Sequence, residues 1–324
     1  MKSVQPKNMK KYNERLLIEF LLSCSNATKA EISEKTGMSI TTVRTQLQAL
    51  MDKEAVCTMG EPESIGGRPA EKYALSSSYA PFLFIDFGFA KSTVIVQSLS
   101  GKKLVEQVLR TEQIEAVIIA LLDQFSQIEL IEIAVPGIPV EQGFLYGENL
   151  DEKKTYHFDF LSQVSETISV EVINDLNLCA FGQLQKYPAV EHLVYLSFGD
   201  CVGTGIIIDR KLYTGYQAFA GEIGLLNYEG HVIDEWLRTS DDNQREAVIR
   251  YVLELVSLLL SPQMIIISEC RLSEKAIEMV SEEVNKRIWS EQQIVLTKEA
   301  EGDRLSGAYR QAVNNFMEKG WTEA

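Results

Sequence analysis

The sequence predicts an α/β protein: a winged helix-turn-helix head at the N-terminus, joined to a larger body of alternating strands and helices in two related lobes. Three observations predict it. Helical spacing and glycine punctuation run from about Asn13 to Val56. From Pro81 the pattern changes to buried strands alternating with helices. The charge also changes: residues 1–77 carry 11 Lys+Arg against 9 Asp+Glu, which leaves 20 against 37 of the totals, 31 and 46, for residues 78–324. The boundary is therefore drawn between a 1–77 DNA-binding head and a 78–324 body. Phosphate would repel the acidic body, so any nucleic-acid contact falls to the head.

The head is read element by element. NERLLIEFLLS (13–23) places Leu16, Leu17, Phe20 and Leu21 at helical spacing, with Asn13 as a cap. In ATKAEISEKTGMS, Thr28 and Glu31 have capping-box spacing and Gly37 ends a short helix. A third helix opens at Ser39 and buries Val43, Leu47, Leu50 and Met51. Its other face carries Thr41, Thr42, Arg44, Thr45 and Gln48, donors and acceptors suited to base edges and phosphates. AVCTMGEPESIGGRPAEKYAL then reads as two strands around a Gly-rich wing tip bearing Arg68. The candidate DNA-contacting set is Thr28, Ser39, Thr41, Thr42, Arg44, Thr45, Gln48 and Arg68. A three-helix interaction module with a merely solvated polar face is the alternative. The modest positive charge implies few phosphate contacts per head, so operator binding calls for a homodimer or dimer of dimers on two half-sites.

In the body, FLFIDFGFAKSTVIVQSL reads as strand, turn and strand, followed by a strand near KLVEQVL and a helix in EAVIIALLDQF. LIEIAVPGI, VEVIND, HLVYLSF, GTGIIIDR and MIIIS supply further strands. The longest apolar stretch, YVLELVSLLLSPQMIIIS, is interrupted by Glu254 and Pro262, so no membrane span is expected. The N-terminus lacks the features of a secretory signal, and the expected location is cytoplasmic. The five cysteines are never closer than 22 residues and form no CxxC pair. With only three histidines, neither a disulfide framework nor a His/Cys metal cluster is expected.

The ordered series GGRPAEKYAL, IDFGFAKS, IAVPGI, VINDLNLCAFGQ, LSFGDCVGTGIIIDRKLYTG, AFAGEIG and LSGAYRQAV resembles the ROK family of repressors and sugar kinases, from about Asn13 to Val313. The resemblance implies a winged helix-turn-helix followed by a two-lobed, actin-like ATPase (sugar kinase-like) fold with a sugar cleft between the lobes. It also implies two possible occupations: ATP-dependent hexose phosphorylation, or DNA binding governed by a sugar or sugar phosphate.

The kinase elements depart from the family pattern. Phe89 and Ala90 replace the second glycine and threonine of a D-x-G-G-T-K-like turn, and Gly199-Asp200-Cys201-Val202-Gly203 replaces a G-T-G-x-G-like loop. Ser268-Glu269 stands where kinases have Gly-Gly. Asp175 matches the family's catalytic base, but an Asn-Asp turn after a strand also caps a helix. Without an ATP site it would accept a hydrogen bond from a ligand hydroxyl. In AGEIGLLNYEGHVIDEWL the family's AGEIGH histidine is Leu225, and the cysteine-rich zinc segment is shortened to Asn227–His231. No zinc or ATP cofactor is therefore expected, and no catalytic residue is assigned. Asn149, Asn174, Asp175, Glu222 and, across the deletion, Glu235 are the expected ligand contacts; His231 reads as an exposed loop residue. The sequence thus points to a regulator of carbohydrate-utilisation genes. A constitutive DNA-binding or interaction protein with a relic body, or a sugar kinase, remains as an alternative.

Overall fold

The computed structural model describes residues 6–59, 70–147, 152–199, 201–289 and 291–322 of the 324-residue chain. The head comprises α1 (Pro6–Ser23), β1 (Ala27–Thr28), α2 (Lys29–Thr36), α3 (Ile40–Asp52), β2 (Val56–Met59) and β3 (Lys72–Leu75). α1 opens at Pro6 rather than after Asn13. Nothing between the two breaks a helix, and proline is tolerated at the first helical position because its missing N–H would have no partner there.

α2 is fixed at both ends by local chemistry. The Glu31 N–H donates to Thr28 Oγ1 at 3.3 Å, the Thr28 N–H donates to Glu31 Oε2 at 2.7 Å, and Gly37 closes the helix at φ +72°. Thr28→Ala removes one of these donors' partners. We expect it to lower the stability of the head by about 1 kcal/mol, read from faster amide exchange in α2. Leu17, Leu21, Ile32, Val43, Leu47, Leu50, Val56 and Tyr73 form the head's buried core. Met51 is only partly buried; Gln46 takes a place on the buried face instead. β2 and β3 pair antiparallel as the stem of the wing, and β1 adds to β3.

The first lobe of the body contains β4 (Phe82–Asp86), β5 (Lys91–Gln97), β6 (Lys103–Arg110), α4 (Ile114–Gln124), β7 (Leu130–Val135), β8 (Ile138–Val140), β9 (Gly143–Tyr146), β10 (Lys154–His157) and β11 (Ser169–Asn174). After α5 (Asp175–Lys186), the second contains β12 (Leu193–Phe198), β13 (Val202–Ile208), β14 (Lys211–Leu212), β15 (Asn227–Tyr228), β16 (His231–Val232), α6 (Ile233–Thr239), α7 (Asp242–Leu260), β17 (Met264–Ser268), α8 (Glu274–Ile288) and β18 (Gln293–Leu296). α9 (Ala300–Thr322) returns across both.

The two five-stranded sheets share one topology. Their orders are β11-β7-β4-β5-β6 and β14-β13-β12-β17-β18. Numbered within each lobe, both read 3-2-1-4-5 across the sheet, the second listed from the opposite edge. In each, the first three strands pair antiparallel and the last two add in parallel. This repeat is the two-lobed, actin-like arrangement. Each sheet is apolar on both faces, as a sheet covered by helices on both sides requires. α4 covers one face of the first sheet, and α7 and α8 cover one face of the second. α5 packs on the other face of the second sheet and α9 on the other face of the first. α5 and α9 cross in direct contact between the lobes.

Candidate functional site: an interlobe cleft and an exposed helix face

A cleft of about 1380 Å³ lies between the lobes. Residues at the carboxyl ends of β7, β11, β12 and β17 line it, the position at which open α/β sheets hold ligands. Asn174 ends β11 and caps α5: its Oδ1 accepts from the N–H groups of Leu176 and Asn177, at 3.0 and 3.1 Å, and its Nδ2 donates to Gly137 O at 3.1 Å. That tie fixes Asp175, the first residue of α5, at the cleft floor. Asp175 Oδ1 accepts from the Leu176 N–H at 2.8 Å and Oδ2 from Arg304 Nη1 at 3.3 Å. Burial pushes the Asp175 carboxyl up to about 6, against the pull of Arg304 and with the help of the Asp86 charge.

Arg304, on α9, also reaches Asp86 at the end of β4, with Nε 3.0 Å from Oδ2. The approach is too far off line for a hydrogen bond, so it is a charge contact. Burial raises the Asp86 carboxyl as well, opposed by Arg304.

Glu222 lines the cleft, and burial, reinforced by the Asp234 and Asp175 charges, pushes its carboxyl up to about 7. Asp234 is buried and accepts the Val202 N–H at 2.6 Å. The expected second carboxylate, Glu235, is exposed and is not among the lining residues; its neighbour Asp234 is. On a helix, adjacent residues diverge by about 100°, so a shift of one residue across the shortened loop decides which of the two faces the cleft. Glu269 and Arg304 were absent from the expected contacts. Glu269 follows β17 with φ +52° and accepts from Ser197 Oγ at 2.8 Å. Arg304 lies 129 residues from Asp175 in sequence, and no local motif marks it. Asn149 and Asp200 lie outside the described residues.

Where the family's zinc segment would stand, β15 and β16 form a two-stranded ribbon turning through Glu229 and Gly230. His231 is exposed there, its ring 4.9 Å from that of Trp236. Among the described residues no group of three or more His, Cys, Asp or Glu side chains is arranged to hold a metal ion.

In the head, Thr41, Arg44, Thr45 and Gln48 lie on the exposed face of α3, with Thr42 half-buried at its edge. Ser39 caps α3, accepting the Thr42 N–H at 3.1 Å, and its hydroxyl contacts that of Thr42 at 2.9 Å. Thr45 donates to Thr41 O and Gln48 to Asp52 Oδ1. Arg44 makes no ion pair among the described residues and stands exposed at the centre of the face. Thr28 and Ser39 are thus engaged as caps. Arg68 lies outside the described residues.

Comparison with known proteins places both halves. Residues 82–235 match the ROK family, and residues 11–56 match a winged helix-turn-helix DNA-binding family. The body is similar to the ROK family over residues 82–235. The Bacillus subtilis (strain 168) xylose repressor is 29% identical over 234 residues, covering 67% of this chain and 60% of the repressor. The chain spans about 60% of the length of the first of the curated relatives it matches. A ROK-family transcriptional regulator homologous to the E. coli MLC protein superposes over 98% of this chain and 100% of its own, with a TM-score of 0.68 at 14% identity. A ROK glucokinase from Streptomyces griseus, in complex with glucose and AMPPNP, superposes on 72% of this chain and 100% of its own, with a TM-score of 0.54 at 18% identity. The head precedes the ROK-like body in sequence, and the tail of α9 packs against it. Phe316 and Met317 join the head's core, and Arg15 Nη1 donates to Met317 O at 3.2 Å.

Proposed function

We propose that the protein is a cytoplasmic transcriptional regulator, a repressor of carbohydrate-utilisation genes. Its head binds a two-half-site operator as a homodimer or dimer of dimers, and its ROK body senses a sugar without turning it over. The observation that carries this reading is the pairing of an exposed polar α3 face with a ROK body whose phosphate-facing turns are already occupied. The Gly88 N–H donates to Ser92 Oγ at 3.1 Å, and the Val202 N–H donates to Asp234. The Glu269 carboxylate lies over Gly199, close enough that a Cβ there would meet its Oε2 at 2.7 Å. Phe89, 52% exposed, lines the cleft where the glycine of a phosphate turn would leave backbone open. Backbone donors spent on side chains, and a carboxylate over the turn, do not fit a bound polyphosphate. Carboxylates and amides around a cleft do fit hydroxyls.

Transmission would run through α9. Arg304 touches the cleft floor and Met317 touches α1; at 1.5 Å per residue the two are about 20 Å apart on one rigid element. A ligand that favours one lobe arrangement thereby biases the orientation of the head. The similarity to xylose repressors makes D-xylose the first sugar to try.

The test uses DNA sites selected from a random-sequence pool by the unaltered protein. Arg44→Ala is expected to weaken binding to them by about ten- to a hundredfold, the equivalent of about 1–3 kcal/mol. Unchanged affinity would remove the DNA-reading role of α3. In a parallel thermal-shift screen of D-xylose and other sugars, stabilisation by a sugar alone is expected. A shift that requires ATP would reinstate the kinase.

A further inference from the structure

We propose that Arg304 is a built-in replacement for a divalent cation, and that by filling the seat between Asp86 and Asp175 it restricts the cleft to ligands that arrive without a metal-bound phosphoryl chain. The inference rests on reading the cleft as a sensing site and narrows its ligand to an uncharged, polyhydroxylated one.

Three separate elements build the seat. Asp86 comes from the end of β4, Asp175 from the first turn of α5, and Arg304 from α9. The side chains are only 16%, 20% and 20% exposed, with Arg304 Nε 3.0 Å from Asp86 and Nη1 3.3 Å from Asp175. Two carboxylates this close and this buried do not both stay ionised without a counter-charge. A hard divalent cation would supply one by binding the same carboxylate oxygens at about 2.0–2.6 Å. The guanidinium supplies it from within the chain, its planar fork spanning two acceptors that a lysine would meet as a point charge. Arg304 is also held in place: α9 is pressed so close to α5 that a Cβ on Gly182 would meet Asp303 O at 2.2 Å. Asp303 itself pairs with Lys186 at 2.7 Å.

The balance of charge around the seat sets the ligand. Arg304, behind the cleft floor, offsets Asp86 and Asp175, and in the cleft wall Glu222, Asp234 and Glu269 add further acid beside Asp175. The cationic side chains that line the cleft itself, Lys153, Lys154 and Arg238, are exposed. A phosphoryl group entering such a wall needs a divalent cation to bridge it to the carboxylates, and Arg304 occupies the place of that cation. A neutral polyol needs no such bridge.

The experiment titrates Mn2+ alone, followed by loss of the free-ion signal in electron paramagnetic resonance. Arg304→Ala is expected to bind Mn2+ at least tenfold more tightly than the unaltered protein, and Asp86→Asn added to Arg304→Ala should abolish that gain. Arg304→Gln, which keeps most of the stem's packing, carries the same expectation if the alanine variant folds poorly. Equal Mn2+ affinity with and without Arg304, or a gain that survives Asp86→Asn, overturns the proposal. Neither DNA nor sugar enters the measurement, so its failure and that of the regulator reading are separately visible.

Discussion

Gly307→Ala is expected to destabilise the body by about 3 kcal/mol, although alanine is the better helix former. In an unconstrained helix interior the change would stabilise by about 0.5–1 kcal/mol. Gly307 is not unconstrained: a Cβ there would fall 1.9 Å from Leu178 O and 2.6 Å from its carbonyl carbon. The obstruction is the backbone of α5, which cannot rotate away as a side-chain tip can. On the facing helix Gly182 is equally confined, its added Cβ meeting Asp303 O at 2.2 Å and Gly307 N at 2.9 Å. Adding a methyl group forces the helices apart. That loosens Ala308 and Ala312 against Phe82 and Phe84, and strains the Lys186–Asp303 and Arg304–Asp175 contacts. Gly302→Ala is the internal control. On the same helix its Cβ would meet nothing nearer than Glu299 Cβ at 4.0 Å, so it should stabilise by about 0.5–1 kcal/mol. Opposite signs in urea midpoints are the expected outcome. Equal signs would show that the two helices do not cross this closely in solution.

The α2 capping box, the opening of α3 at Ser39, the wing stem and the strands β4–β7, β11–β13 and β17 were legible in the sequence because each is encoded locally, whereas the short strands β9, β10, β14–β16 and β18 were not. Thr28, Glu31 and Gly37 stand within ten residues of one another. The placement of Asn174 and Asp175 at a strand-to-helix turn was legible for the same reason. Arg304 was not, because what brings it against Asp175 is the long-range crossing of α9 over α5; Glu269 was legible only as a departure from the family's Gly-Gly, and the left-handed turn after β17 that brings it to the cleft was not. Glu235 against Asp234 shows the limit differently. The composition of the segment was readable, but the facing of a residue just beyond a deletion depends on a helical phase that sequence spacing does not set. The seating of Phe316 and Met317 in the head's core was equally hidden, since an amphipathic helix does not say which apolar surface it will cover.

Glu222→Gln is expected to flatten the pH dependence of stability between about 4.5 and 7 and to leave the protein more stable than its parent at pH 8. Burial raises the Glu222 carboxyl from an ordinary 4.5 to about 7, and the charges of Asp234 and Asp175 add to it. The folded protein therefore holds this proton more tightly than the unfolded chain does. The stabilisation that follows is complete below pH 4.5 and is lost as pH rises through about 7, where the folded state must ionise a buried acid. The full difference is on the order of 3 kcal/mol at one pH unit per 1.4 kcal/mol, before solvent reaching the cleft reduces it. Glutamine keeps the shape and removes the titration. Asp175, raised to about 6, contributes in the same direction over a lower range, so a residual slope remains in the variant. The same substitution should weaken sugar binding, because a ligand hydroxyl donates to a carboxylate more strongly than to an amide oxygen. Stability gained at pH 8 with ligand-induced stabilisation lost is the pattern of a group kept for binding at a cost to the fold. Melting curves of both proteins from pH 5 to 8, with and without D-xylose, read both effects. Parallel curves without ligand would mean that Glu222 titrates as an ordinary exposed carboxylate.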